Sequence, residues 1–96
     1  MEDKKPSIVR LFSDIARLAR TGDYPTAALS FNRGILLLQE RMGAADVQGP
    51  SQLDRKQITE SLRTLLLLLE HNDWVAIADV IDYEFIPLWK KSFPSA

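Results

Sequence analysis

Leu65-Leu66-Leu67-Leu68-Leu69 runs without a break into Glu70-His71-Asn72-Asp73-Trp74. Five consecutive helical residues sweep through about 500° of arc at about 100° each, so the run places apolar surface on every side of its segment. A helix of that kind has to be covered all round. In a chain of 96 residues it is expected to be the central element, with neighbouring helices or a second copy of the chain packed against it.

Toward the amino terminus, Ile8, Leu11, Phe12, Ile15, Leu18 and Ala19 recur at three and four, with Arg10, Asp14, Arg17 and Arg20 between them. This spacing predicts an amphipathic helix from Pro6, which suits a first turn, to about Thr21. Gly22 offers the left-handed conformation that ends a helix, and Asp23 can cap the next one, with Pro25 tolerated in its first turn. That second helix is expected from Tyr24 to Met42. Gly34 in its middle costs roughly 1 kcal/mol against alanine, so it either lets another helix come close or marks a weak point.

Residues 43–50 carry glycine at both ends and no period, and read as the linker between two halves. Ser51 and Asp54 have capping-box spacing, although the box prefers Glu or Gln at the fourth position. The third helix is expected to run through Ile58, Leu62 and the leucines to His71. Asn72 then suits the left-handed cap and Asp73 the N-cap of a last helix, Trp74 to Ser92, which Pro87 should kink by freeing the Tyr83 carbonyl. A frayed tail is expected from Phe93 to Ala96.

A shift of 50 residues lays the second half on the first. Ile8 matches Ile58, Phe12 Leu62, Ile15 Leu65 and Ala19 Leu69; Ala28 matches Ala78, Phe31 Ile81, Ile35 Phe85 and Leu38 Leu88. Any two amphipathic hairpins can be slid until their stripes coincide. Periodicity does not demand that Gly22-Asp23-Tyr24 match Asn72-Asp73-Trp74, however, and that match favours a pseudo-repeat. Two hairpins with one apolar face each must pack on each other. The expected fold is therefore all-α, an antiparallel four-helix bundle of two pseudo-repeated αα-hairpins, 6–42 and 51–92, in one domain spanning 1–96.

Bulk chemistry narrows the function classes. A formal charge of −1 gives no global attraction for nucleic acid or an anionic membrane. The absence of cysteine excludes disulfides, thiolate metal sites and cysteine nucleophiles. The charged amino terminus does not read as a signal peptide, and no apolar run approaches the ~20 residues that span a bilayer, so a cytoplasmic location is expected.

Each candidate site has a plainer explanation beside it. His71 is the only histidine and sits where a protonated ring favours a helix C-terminus; no second histidine is there to build a zinc site. Asp79, Asp82 and Glu84, with Asp73, make the front of the last helix acidic, which would suit a divalent cation or acid/base chemistry. Acidic residues near a helix N-terminus are also favourable without a ligand. Arg10, Arg17 and Arg20 fall on one side of the first helix and could meet a phosphate backbone, or equally that acidic front; nucleic-acid binding is disfavoured. No glycine elbow or phosphate-cradling loop is present, so catalysis lacks its parts and no cofactor or metal is expected.

The apolar surplus is more informative. Leu66, Leu67 and Leu68 lie partly off the shared stripe, as do Leu36, Leu37, Ile86, Trp89 and Phe93. A bundle needs one stripe per helix, so the surplus is expected to form an exposed patch centred on Leu66, Leu67, Ile86, Trp89 and Phe93. It would bind an amphipathic helix of a protein partner or a second copy of the chain, most simply as a homodimer.

The segment His71-Asn72-Asp73-Trp74-Val75-Ala76-Ile77-Ala78-Asp79-Val80-Ile81-Asp82-Tyr83-Glu84-Phe85-Ile86-Pro87-Leu88 resembles the ending of small helical proteins of Gram-positive bacteria, some of them encoded near flagellar genes. Shared with them are an Asn/Asp-aromatic turn, an Ala-Asp-hydrophobic step, an acidic-Tyr-Glu triplet and a proline before leucine. By size and helical character the chain is also similar to the bundle chaperones of flagellar export, a likeness of fold alone. The resemblance implies no catalytic residue. The expected function is a non-catalytic adaptor or chaperone-like module, with a small metal-dependent or acid/base enzyme and a nucleic-acid binder as alternatives.

Overall fold

The computed structural model describes residues 7–44 and 52–93. Among these the chain is all helical: α1 (Ile8–Thr21), α2 (Tyr24–Ala44), α3 (Gln52–Glu70), α4 (Trp74–Val80), a π-helical turn (Ile81–Phe85) and α5 (Ile86–Ser92). The last three follow without a break and form a fourth rod. Pro6, Ser51, most of the linker and residues 94–96 lie outside the described residues. α2 continues past Gly43 to Ala44, beyond its expected end at Met42.

The helix ends follow from their sequence. Ser7 is extended, and its hydroxyl oxygen accepts the Arg10 N–H at 3.0 Å, capping α1. Gly22 (φ +87°) and Asn72 (φ +54°) both take the left-handed conformation, which glycine adopts freely and asparagine tolerates. Gly22 N–H donates to Ala19 O at 3.3 Å and Asp23 N–H to Leu18 O at 3.0 Å; Asn72 N–H donates to Leu69 O and Asp73 N–H to Leu68 O, both at 3.0 Å. The aspartates then cap the following helices. Asp23 Oδ1 accepts Thr26 N–H at 3.4 Å, and Asp73 Oδ1 accepts Ala76 N–H at 3.2 Å.

Pro87 distorts the fourth rod by widening it. Proline offers no N–H to the Tyr83 carbonyl, and just upstream Ile86 N–H reaches back five residues to Ile81 O. A π turn takes in one extra residue and so rotates everything after it. On a regular helix Trp89 would lie about 120° away from Ile77, twelve residues at about 100° each. With the extra residue absorbed, Ile77, Ile81, Phe85 and Trp89 all reach the core.

The core is centred on α1 and the fourth rod. Phe12 is fully buried, edge-on to Phe31 with ring centroids 6.3 Å apart and tilted against Phe85 at 4.6 Å. Gly34 is what admits it: a Cβ there would stand 2.9 Å from the Phe12 ring and 3.5 Å from Ile15 Cδ1. α1 packs along α2 on one side and the fourth rod on the other, and α3 packs on the fourth rod. The helices therefore follow one another as α2, α1, fourth rod, α3. α2 and α3 do not pack along one another among the described residues; they approach near the linker, where Arg55 Nη2 donates to Met42 O at 3.4 Å. The Cα atoms span 38 × 34 × 19 Å, a slab and not a rod.

The leucine run is thus not the central element. α3 has one long neighbour, the fourth rod, so only one side of it is covered. Leu65 is fully buried and Leu68 and Leu69 are half-buried, while Leu66 and Leu67 face outward. No helix among the described residues is long and apolar enough to cross a membrane.

Candidate functional site

Successive residues on a helix turn by about 100°, so α3 has two distinct edges flanking its buried side. Ile58 and Leu65 mark that buried side. One edge, with Gln57 and Ser61, faces the fourth rod. The opposite edge carries Arg55, Leu62 and Leu66. Leu67 points away from the core altogether, and the exposures follow: Leu66 is 42% exposed, Leu67 54% and Leu53 65%. Along the outward face Leu53, Lys56, Glu60, Arg63, Leu67 and Glu70 recur at intervals of three and four, and all six are exposed. This is an apolar-and-charged stripe running the length of the helix.

Of the five residues expected to share a surface patch, the structure leaves two on it. Leu66 and Leu67 are exposed. Trp89 is 1% exposed and Ile86 8%, both inside the core, and Phe93 is half-buried with its ring stacked on Trp89 at 4.1 Å. The π turn is the reason for the correction, because it rotates the carboxy-terminal half of the rod onto the apolar side. Leu53 was not among the expected residues; its signal was the three-and-four spacing ahead of Lys56, Glu60 and Arg63. Leu29 and Leu36, seven apart on α2, are also exposed.

The acidic front of the fourth rod meets the end of α1. Arg20 donates from Nη2 to Asp79 Oδ1 at 3.1 Å and from Nη1 to Asp82 Oδ2. The hydrogen bond to Asp82 raises the Arg20 pKa above its usual value; desolvation pulls the other way and Asp79 adds to the rise. One guanidinium therefore bridges two of the three carboxylates that the cation or acid/base alternative would use, and the third, Glu84, is exposed. Among the described residues no group of three His, Asp or Glu side chains could hold a metal.

The three arginines of the basic stripe have separate surroundings. Arg17 lies 3.4 Å from Asp14 on its own helix, Arg20 is taken by Asp79 and Asp82, and Arg10 is exposed. His71 Nδ1 lies 3.0 Å from Leu67 O, at the C-terminal end of α3 where the orphan carbonyls are.

Between α3 and the fourth rod runs an open groove of about 480 Å³, with Gln57 and Glu60 on one wall and Tyr83, Pro87 and Leu88 on the other. In this layer Gln57 Oε1, Ser61 Oγ, Trp89 Nε1 and Ser92 Oγ are buried without a hydrogen-bond partner among the described residues. Lys91 Nζ crosses to Asp54 Oδ1 at 3.8 Å, an exposed ammonium against a largely covered carboxylate.

No protein-family model, curated protein or solved structure matches the chain.

Proposed function

We propose that this chain is a non-catalytic, protein-binding helical module of the adaptor or chaperone-like kind, working in the cytoplasm and docking partners on the outward face of α3. The observation that carries the reading is the exposure of Leu53 and Leu67 on the outward face of α3, interleaved with Lys56, Glu60 and Arg63, with the part-exposed Leu66 at its edge. Large apolar side chains that recur along one exposed helix face, in register with charged ones, support an interaction surface, whereas an isolated exposed leucine does not. At finer grain we read the fold as two pseudo-repeated hairpins in an antiparallel four-helix arrangement. The equivalent hydrogen bonds of the turns at Gly22 and Asn72, 50 residues apart, support that reading.

The test is capture from a lysate of the source organism on immobilised wild type and on a Leu66→Glu/Leu67→Lys variant with unchanged far-ultraviolet circular dichroism. Proteins held by the wild type and lost by the variant are the expected result. Retention of the same proteins by both removes the reading.

A further inference from the structure

The outward face of α3 is also complementary to itself. Leu53, Lys56, Glu60, Arg63, Leu67 and Glu70 are spaced three, four, three, four and three, the interval of a coiled-coil seam, over about 26 Å of helix. Lys56, Glu60, Arg63 and Glu70 form no ion pair within the chain among the described residues. Their order along the stripe is positive, negative, positive, negative, with a leucine before the first charge and another before the last. Two such stripes match when they run in opposite directions.

We infer that α3 pairs with α3 of a second copy of this chain, antiparallel, about a two-fold axis between Glu60 and Arg63. This inference rests on the docking face proposed above and names an occupant for it. In that register Glu60 of each copy stands opposite Arg63 of the other, and Lys56 opposite Leu67. The aliphatic stem of Lys56 lies across Leu67 while its ammonium reaches Glu70 one turn on. Leu53 stands opposite Glu70 and packs on Leu67 of the other copy at each end, which covers the two most apolar positions of the stripe. A parallel pairing would set Glu60 against Glu60 and Arg63 against Arg63, so the charges select the antiparallel direction. Because the same patch serves both copies, the assembly closes at two. A single helix pair is a small interface, so the dimer is expected to depend on concentration.

The experiment is sedimentation velocity over a wide range of protein concentration, on the full chain and on two charge reversals. Glu60→Arg sets two guanidinium groups against each other across the axis, and Arg63→Glu sets two carboxylates. Each variant alone is expected to be monomeric where the wild type is dimeric. An equimolar mixture of the two is expected to associate again, since every opposed pair then has opposite signs. That rescue also shows that both variants are folded. A mixture that stays monomeric, or single variants that dimerise as the wild type does, overturns the inference. A wild type monomeric at every concentration overturns it too, and leaves the docking reading standing if captured partners still depend on Leu66 and Leu67.

Discussion

Tyr24 and Trp74, fifty residues apart and each the first residue after a capping aspartate, lie ring on ring with centroids 5.9 Å apart and planes 10° from parallel. The stack joins the two hairpins at the end where both turn. Trp74 is buried and Tyr24 only half covered, so the two truncations should differ. Trp74→Ala is expected to cost about 3 kcal/mol or more and Tyr24→Ala about 1. A double-mutant cycle in urea should give a coupling of about 0.5–1.5 kcal/mol, the range of paired aromatic rings. Strict additivity would mean that the stack contributes nothing to stability.

Gly34 gives the clearest packing prediction. Alanine there gains about 1 kcal/mol of helix propensity, but its methyl group would sit 2.9 Å from a Phe12 ring that Phe31 and Phe85 hold in place. Overpacking of that kind costs about 1–3 kcal/mol, so Gly34→Ala should be destabilising by about 1 kcal/mol net. Phe12→Leu opens the space, and the double variant should therefore be more stable than the sum of the single changes implies. Thermal or urea unfolding measures all three. A stabilised Gly34→Ala protein would show that the Phe12 ring moves freely.

The same two regions show what was legible in the sequence. Caps and turns are readable because their causes are local: Ser7, Gly22, Asp23, Asn72 and Asp73 act within five residues of themselves. The role of Gly34 was narrowed to two possibilities, and only the position of Phe12 on another helix decides between them. The place of the leucine run was not legible, since five leucines cannot say which of their sides a neighbour will cover. Trp89 and Ile86 were misplaced for a different reason. The buried residues Ile77, Ile81, Phe85 and Trp89 recur at strict intervals of four, which drift by about 40° each time on a regular helix. A run of fours ending beside Pro87 is the sequence signal of the wide turn, and it is visible only when the helix is not taken as regular.

Arg20 and its two carboxylates make a prediction about pH and cations. All three side chains are about a third exposed or more, so solvent and salt screen the bridge, and Arg20→Gln should cost under about 1 kcal/mol. The folded-state pKa of Arg20 is raised. The stability this contributes is therefore fully present below the unfolded-state value and is lost only as pH climbs through the still higher folded value. On the guanidinium's account the gap in melting temperature between wild type and Arg20→Gln should stay level from about pH 6 to pH 9. Magnesium or calcium should produce no heat in calorimetric titration of the wild type, because Asp79 and Asp82 already face a cation. A measurable binding heat would return the acid/base and metal alternatives to contention.

Ser61 is nearly fully buried, and its hydroxyl finds no partner among the described residues. Leaving such a group unpaired costs about 1–3 kcal/mol, and serine is a poorer helix former than alanine. The Oγ fills little volume, so its removal opens only a small cavity. Ser61→Ala should accordingly raise stability by about 1 kcal/mol, or melting temperature by about 4–8 °C in a domain of this size. A lowered melting temperature would show that the hydroxyl is satisfied in solution.

Leu67 and Trp89 were expected to share one surface, and the same substitution separates their roles. Lysine at position 67 lands on an exposed face beside Arg63 and Glu70, where a change of charge leaves stability within about 0.5 kcal/mol. Lysine at position 89 would put an ammonium between the Phe85 and Phe93 rings, where the indole nitrogen it replaces is buried without a hydrogen-bond partner among the described residues. An unpaired buried charge exceeds what a domain of this length has in reserve, so Trp89→Lys should leave most molecules unfolded. Circular dichroism and the emission of the remaining Trp74 distinguish the two outcomes directly. If Trp89→Lys folds normally, its indole is not sealed in the core, and the surface patch regains Ile86, Trp89 and Phe93. If it unfolds while Leu67→Lys keeps its fold and loses self-association, docking is confined to α3.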